Sequence, residues 1–155
     1  MPTDVVLASG SASRRSLLAN AGVDAVCVRP NVDEDAAKAA MRQEGLPVRD
    51  QAMRLAELKA LKVSQGRPGL VIGGDQMLAL DETAFDKPAD RSAAKAHLKA
   101  LSGRAHRLET AIVIYEDGQS VWRHLARPKL TMRPLSDAFI ETYLDAAGEG
   151  ILSTV

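Results

Sequence analysis

Four apolar residues, Val5 to Ala8, run straight into Ser9-Gly10, and from Ser11 onward the apolar spacing becomes that of a helix. A short buried strand passing through a Gly/Ser turn into a helix commits the chain to a sheet covered by helices. The segments that follow obey the same alternation. Ser11 to Ala21 reads as a helix with Leu17, Leu18 and Ala21 on its apolar face and Gly22 as its stop. Ala25 to Val28 reads as a second short strand closed by Pro30. Helices are predicted over Asp35 to Gln43, ended by Gly45, and over Val48 to Ser64, started after Pro47. In the longer one, Leu55, Leu58, Leu61 and Lys62 trace the expected stripe, with Lys59 at its edge. Leu70 to Leu80 carries the runs "LVI" and "MLAL" around Gly73-Gly74-Asp75-Gln76, and Asp90 to Leu101 is helical up to Ser102-Gly103. Leu108 to Tyr115 and Val121 to Leu130 read as strands joined through Asp117-Gly118. Ser136 caps a helix running to Ala147, and Ile151 to Val155 reads as a last strand. Early strands alternate with helices and later ones pair as a hairpin, which predicts a mixed α/β sheet with flanking helices. With no repeat or dividing linker, residues 1–155 read as one domain, and a strand at the very end predicts that a C-terminal segment is lacking.

Composition narrows the function classes. Lys plus Arg equals Asp plus Glu at 20 each, against the basic face a nucleic-acid binder needs. Aromatics make up 3% of the chain, so the core is aliphatic. Cys27 is the only cysteine, which excludes an intramolecular disulfide and a Cys-rich zinc site, and burial is its expected state. The start of the chain does not read as a signal peptide, and no apolar run approaches the ~18 residues of a membrane span. The expectation is a soluble cytoplasmic protein with neither membrane nor nucleic acid as partner.

The stretch "LASGSASRR" raises an electrostatic question. Arg14 and Arg15 fall in the first turn of a helix, where the macrodipole is already positive. A bound anion resolves the conflict: backbone N–H groups converge there, Ser9 and Ser11 add hydroxyls, and guanidiniums grip phosphate in a fork. A Ser-capped helix with two solvated arginines fits the stretch equally well, and no Walker A loop is present. Asp75 follows an apolar run and a Gly pair, where the end of a strand would place a carboxylate for a divalent cation or a water; an ordinary turn aspartate has the same surroundings. Lys87 in "DKP" suits a phosphate contact or a solvated turn. Asp33, Glu34 and Asp35 offer metal oxygens, although acids opening a helix also complement its dipole. His97, His106 and His124 lack zinc-ligand spacing, and Tyr115 and Trp122 are expected to pack the sheet.

In order along the chain, "LASGSASRRSLL", Asp33-Glu34, "LAELKA" around Lys59, "GGDQ", "DKP" and "LSGRAHRLETAIV" resemble the Maf proteins, nucleoside triphosphate pyrophosphatases also called septum formation inhibitors. The resemblance implies a mixed α/β fold like that of inosine triphosphate pyrophosphatases, with two lobes around a nucleotide cleft, and often a homodimer. It implies hydrolysis of the α–β phosphate bond of non-standard or excess nucleotides, yielding a nucleoside monophosphate and pyrophosphate, with a divalent metal, magnesium or manganese. Matched to the motifs, Ser9, Arg14, Arg15, Lys59 and Lys87 fall on phosphate-contacting positions. Glu34 falls on an acidic active-site position and Asp75 on that of the proton acceptor, and the two are the expected metal ligands. Ser13 and Gln76 fall on positions tied to substrate choice. Departures are Ala12 for a proline, Gly74 for alanine or serine, and Asp86 for the glycine before Lys-Pro.

Two functions are compatible with this pattern. One is the housecleaning hydrolase; the other is a nucleotide-binding regulator of cell division that acts through a partner without significant catalysis. Retention of both lysines, both arginines and both acids favours the hydrolase, because binding alone does not require a water-activating carboxylate. Glutamine at position 76 resembles the branch acting on 7-methyl-GTP, as against threonine in the dTTP and UTP branch, while Ser13 stands where that first branch is expected to carry tryptophan.

Overall fold

The computed structural model describes residues 4–153, which form two compact units. Of the described residues, the first comprises 4–76 and 110–126 and the second 77–109 and 127–153. Seven strands make one mixed sheet, ordered β2-β1-β3-β5-β6, with β4 paired to β3 and β7 to β5.

In the first unit, β1 (Val5–Ala8) passes through α1 (Ala12–Asn20) to β2 (Ala25–Cys27), which lies parallel beside it. Ser11 caps α1 and Gly22 leaves it at φ +76°, a conformation that favours glycine. Helices α2 (Glu34–Gln43) and α3 (Val48–Ser64) follow, and β3 (Leu70–Leu80) then pairs in parallel with the other side of β1. From Thr110 the long strand β5 (Ala105–Glu116) turns through Asp117-Gly118, at φ +49° and +78°, into β6 (Gln119–Ala126). Two successive positive φ values give the turn the twist a hairpin needs.

The packing of α3 on the sheet departs from the expected leucine stripe. Leu58 and Lys62 are exposed, while Ala52, Leu55, Ala56, Lys59, Ala60 and Val63 are buried. Small residues face the sheet because the backbones approach so closely. A Cβ on Gly73 would sit 2.5 Å from the Ala56 carbonyl oxygen and 2.7 Å from the Ala60 Cβ. Lys59 therefore belongs to the buried face rather than to its edge.

In the second unit the remainder of β3 forms a hairpin with β4 (Thr83–Phe85), and the start of β5 pairs with β7 (Lys129–Thr131). The strand expected over Val121 to Leu130 is thus two, separated at Pro128, which has no N–H to donate to a ladder. Helix α4 (Arg91–Leu101) packs with α5 (Asp137–Ala147), capped by Asp90 and Ser136. Where a strand is expected over Ile151 to Val155, residues 151–153 instead belong to a 3₁₀ segment, Gly148–Ser153, and Thr154 and Val155 lie outside the described residues. Its Ile151 packs against Ala94, Ile140 and Leu144. No helix among the described residues is long and apolar enough to cross a membrane.

Two other expectations are revised. Cys27 is half-buried on β2, and Trp122 is 48% exposed on β6, its ring stacked on His124 rather than packed into the core. Tyr115 is buried as expected.

The Gly pair gives a direct test of the α3 contact. Gly73→Ala should cost about 1–3 kcal/mol through overpacking, lowering the melting temperature by several degrees. At Gly74 a Cβ would meet nothing nearer than the Ala111 carbonyl oxygen at 3.5 Å, so Gly74→Ala should melt within about 1 kcal/mol of the native chain. Equal melting temperatures for the two variants would show that the close approach of α3 does not constrain the fold.

Candidate active site

Site residues of the first unit gather around the ends of β1 and α1 and the middle of β3. Ser9, 5% exposed, follows β1 directly, and its Oγ accepts hydrogen bonds from the Ser11 N–H at 3.1 Å and from Arg14 Nη1 at 3.2 Å. The Arg14 guanidinium is thereby folded back from α1 across the loop and over Gly74, where a Cβ would lie 3.6 Å from its Nε. Arg15, one position further round the helix, is exposed, as is Ser13.

The acid–base part sits on regular elements. Asp33 caps α2 by accepting from the Ala36 N–H at 3.0 Å, which sets Glu34 in the first turn. Glu34 Oε1 lies 2.8 Å from Lys59 Nζ, and the same ammonium donates to Asp75 Oδ1 at 2.7 Å. Lys59 and Asp75 are 6% and 7% exposed, so this contact is nearly dry. Asp75 is neither at a strand end nor in a turn: β3 runs uninterrupted through Gly73-Gly74-Asp75-Gln76 to Leu80. Gly73, the first of the glycines that suggest a turn, serves the close approach of α3.

Burial holds the Asp75 carboxyl above its ordinary range. The Lys59 ammonium opposes that rise by charge and hydrogen bond, Glu34 adds to it, and Arg14 opposes it from further away.

Gln76 is exposed on the opposite face of β3 from Asp75, with its Oε1 accepting from Thr110 Oγ1 at 3.0 Å. Lys87 is exposed in the second unit, between β4 and a buried Pro88. The structure thus brings Ser9, Arg14, Glu34, Lys59 and Asp75 into direct or nearby contact in one unit, and Lys87 belongs to the other.

Among the described residues no group of three or more His, Cys, Asp and Glu is arranged to hold a metal ion. Two carboxylate oxygens converging on one cationic nitrogen nevertheless fit a hard divalent ion. Magnesium is commonly held by one or two carboxylates, with phosphate and water oxygens completing its shell.

The sequence reading did not single out Arg29. Its guanidinium lies against Gly10, with Nε 2.9 Å from the position a Cβ would take there. The legible signal was a glycine inside a loop flanked by serines, which marks a close approach without naming what approaches.

A mixed α/β sheet with a guanidinium folded over a Ser/Gly loop, beside a buried carboxylate–ammonium pair, belongs to the class of proteins built to handle phosphate groups. Sequence comparison specifies the class further. The family model of the Maf-like proteins matches residues 4–153, and this chain belongs to that family. It is 66% identical over 155 residues to a nucleoside triphosphate pyrophosphatase of Hyphomonas neptunium, covering 100% of this chain and 78% of the relative. A nucleoside triphosphate pyrophosphatase of Rhodospirillum rubrum is 53% identical over 148 residues, 95% of this chain and 73% of its own length. A 7-methyl-GTP pyrophosphatase of Mesorhizobium japonicum is 45% identical over 156 aligned positions, 100% of this chain and 78% of the relative.

Removing the central ammonium isolates its electrostatic work. In Lys59→Met the Asp75 carboxyl loses its main charge-stabilising neighbour while Glu34 still repels it, so it should titrate at higher pH than in the native protein. A folded-state value above the ordinary 3.8 means that the protonated acid contributes stability fully present below that pH and lost as pH rises through the folded value. The variant should therefore be destabilised near neutrality by about 3–5 kcal/mol, as for a buried pair stripped of one partner, and recover towards acid. Carboxyl ¹³C titration and melts across pH check both; an Asp75 value at or below the native one would contradict the assignment of Lys59 as its counter-ion.

Proposed function

We propose that this chain hydrolyses the α–β phosphate bond of a nucleoside triphosphate, yielding a nucleoside monophosphate and pyrophosphate and so removing non-standard or excess nucleotides. The observation that carries the reading is the dry contact of Asp75 with Lys59, 2.7 Å long, in the same unit as the Arg14-covered Ser9 loop. Arg14, Arg15 and Lys59 hold the triphosphate and offset the charge that develops on the leaving pyrophosphate. Asp75 takes the proton of the attacking water. Its burial favours that role, because a carboxyl raised above its ordinary range is a stronger base than a solvated one. Glu34 and Asp75 are the residues that would hold magnesium or manganese, an ion that supplies charge neutralisation on the phosphates when bound.

For the base, Gln76 is the reading residue. Thr110 occupies its Oε1, which leaves the amide NH₂ facing outward as a donor to a carbonyl on the base edge. A modified guanine, as the name of the Mesorhizobium relative indicates for that protein, presents such an oxygen. Preferential pyrophosphate release from dTTP or UTP over 7-methyl-GTP would reject this preference.

Asp75→Asn preserves size and removes the basic oxygen. Turnover should fall by about 10²–10⁴, the usual worth of a positioned general base, with triphosphate affinity largely kept. Arg15→Ala should weaken affinity and turnover together. Pyrophosphate release and calorimetric nucleotide binding, with a melt to confirm folding, separate the two effects. A folded Asp75→Asn protein with near-native turnover would remove Asp75 from the proton step and leave Glu34 in its place.

A further inference from the structure

We propose that Arg29 is a third guanidinium of the phosphate site, reaching the substrate's phosphate chain over Gly10. The inference rests on the reading above that the Ser9–Ser11 loop receives phosphate, and it adds a residue from an element not so far given a role.

Topology puts Arg29 there. Because β1 and β2 are parallel, with Leu7 opposite Cys27, both strands leave the sheet at the same end. The Val28 N–H donates to the Leu7 carbonyl at 2.9 Å, carrying the pairing one residue past β2. The next residue, Arg29, emerges beside the loop that follows β1. Measured from the point where a Cβ on Gly10 would stand, Arg29 Nε is 2.9 Å away, Nη2 3.2 Å and Cζ 3.3 Å. Three guanidinium atoms at similar short range mean that the planar group lies along the loop instead of extending into solvent.

Charge makes the arrangement informative. Arg14 lies over the same loop through Ser9, and among the described residues neither it nor Arg29 forms an ion pair with a carboxylate. Among the described residues Arg29 has no hydrogen-bond partner either. An exposed arginine without a carboxylate partner among the described residues gains little by lying on a loop that a second guanidinium also touches, since like charges repel and solvent is available. Two guanidiniums from different elements, flanking a loop with serine hydroxyls, present forked donors converging on one anion. A polyphosphate, with several charged oxygens in a row, can use both at once. A solitary packing role, in which Arg29 only covers the Gly10 backbone, predicts no dependence of anion binding on its charge.

The test uses the full chain with inorganic tripolyphosphate as probe and pyrophosphate release from a nucleoside triphosphate as second readout. Arg29→Gln should weaken tripolyphosphate binding and raise KM by about tenfold, with kcat falling less than about threefold, as expected for a charged contact shared by ground and transition states. Arg29→Lys, which restores the charge without the fork, should recover part of the affinity. Gly10→Ala should act in the same direction, because its Cβ takes the space of the guanidinium, which can swing away without disturbing the fold. Unchanged tripolyphosphate affinity and KM in a folded Arg29→Gln protein, alongside weakened binding in Arg15→Ala, would overturn the role of Arg29 alone. Unchanged affinity in both variants would overturn the phosphate-loop reading with it.

Discussion

An ammonium buried between two carboxylates organises the first unit. Lys59 brings one charge into the packed face of α3, Asp75 a second into the middle of β3, and Glu34 a third from the first turn of α2. Taking ions out of water costs several kcal/mol each, and their attraction returns that cost only when the contacts are short and shared. Here one nitrogen meets two oxygens at 2.8 and 2.7 Å. The arrangement carries one negative charge in excess, and Arg14, which lowers the Asp75 value from further off, partly balances it. Removing Lys59 leaves two carboxylates facing one another, Asp75 in a nearly dry place, so the three elements are tied together by electrostatics as well as by apolar burial.

That geometry requires α3 to lie closely on β3. The absence of a side chain at Gly73, facing the Ala56 carbonyl and the Ala60 methyl group, sets the separation. Larger residues at these points would lift the helix and with it the Lys59 ammonium. A glycine and two alanines, none of which touches substrate in the proposed mechanism, thus fix the reach of a lysine that does. The same economy applies at the edge of the unit, where the parallel pairing of β1 and β2 brings the segments after Ala8 and Cys27 out side by side.

Much of this was legible in the sequence because local chemistry decided it. Ser11, Asp33, Asp90 and Ser136 cap helices with side-chain hydrogen bonds, so the starts of α1, α2, α4 and α5 lie within a residue or two of the expected positions. Asp117-Gly118 adopts the left-handed pair its composition announces. What was not legible depended on partners distant in sequence. Gly73-Gly74 has the composition of a turn, and only the neighbouring Ala56 and Ala60 show why a strand needs glycine at position 73. Lys59 looks like the polar border of a leucine stripe until the carboxylates that bury it are in view. Ile151 has the composition of a strand, but it follows Gly148 at φ +57° and finds its apolar contacts on α4 and α5. Arg29 gives no local signal at all, since its place over Gly10 is a consequence of strand pairing.

In the proposed mechanism, the division of residues between regular elements and loops separates two kinds of work. Asp75, Lys59 and Glu34 stand on a strand and two helices, where backbone position is held by ladders and packing. Proton transfer demands that, because a misplacement of about 1 Å can cost orders of magnitude in rate. The guanidiniums stand at the start of a short helix and on a loop, at the ends of long side chains. Binding a flexible polyphosphate tolerates adjustment of such chains, since several oxygens can satisfy the same fork. A site whose acid is rigid and whose cations are adaptable can accept substrates differing in the base while keeping the reacting bond in one place. Gln76 belongs to neither group: it follows Asp75 on the same strand but projects from the other face.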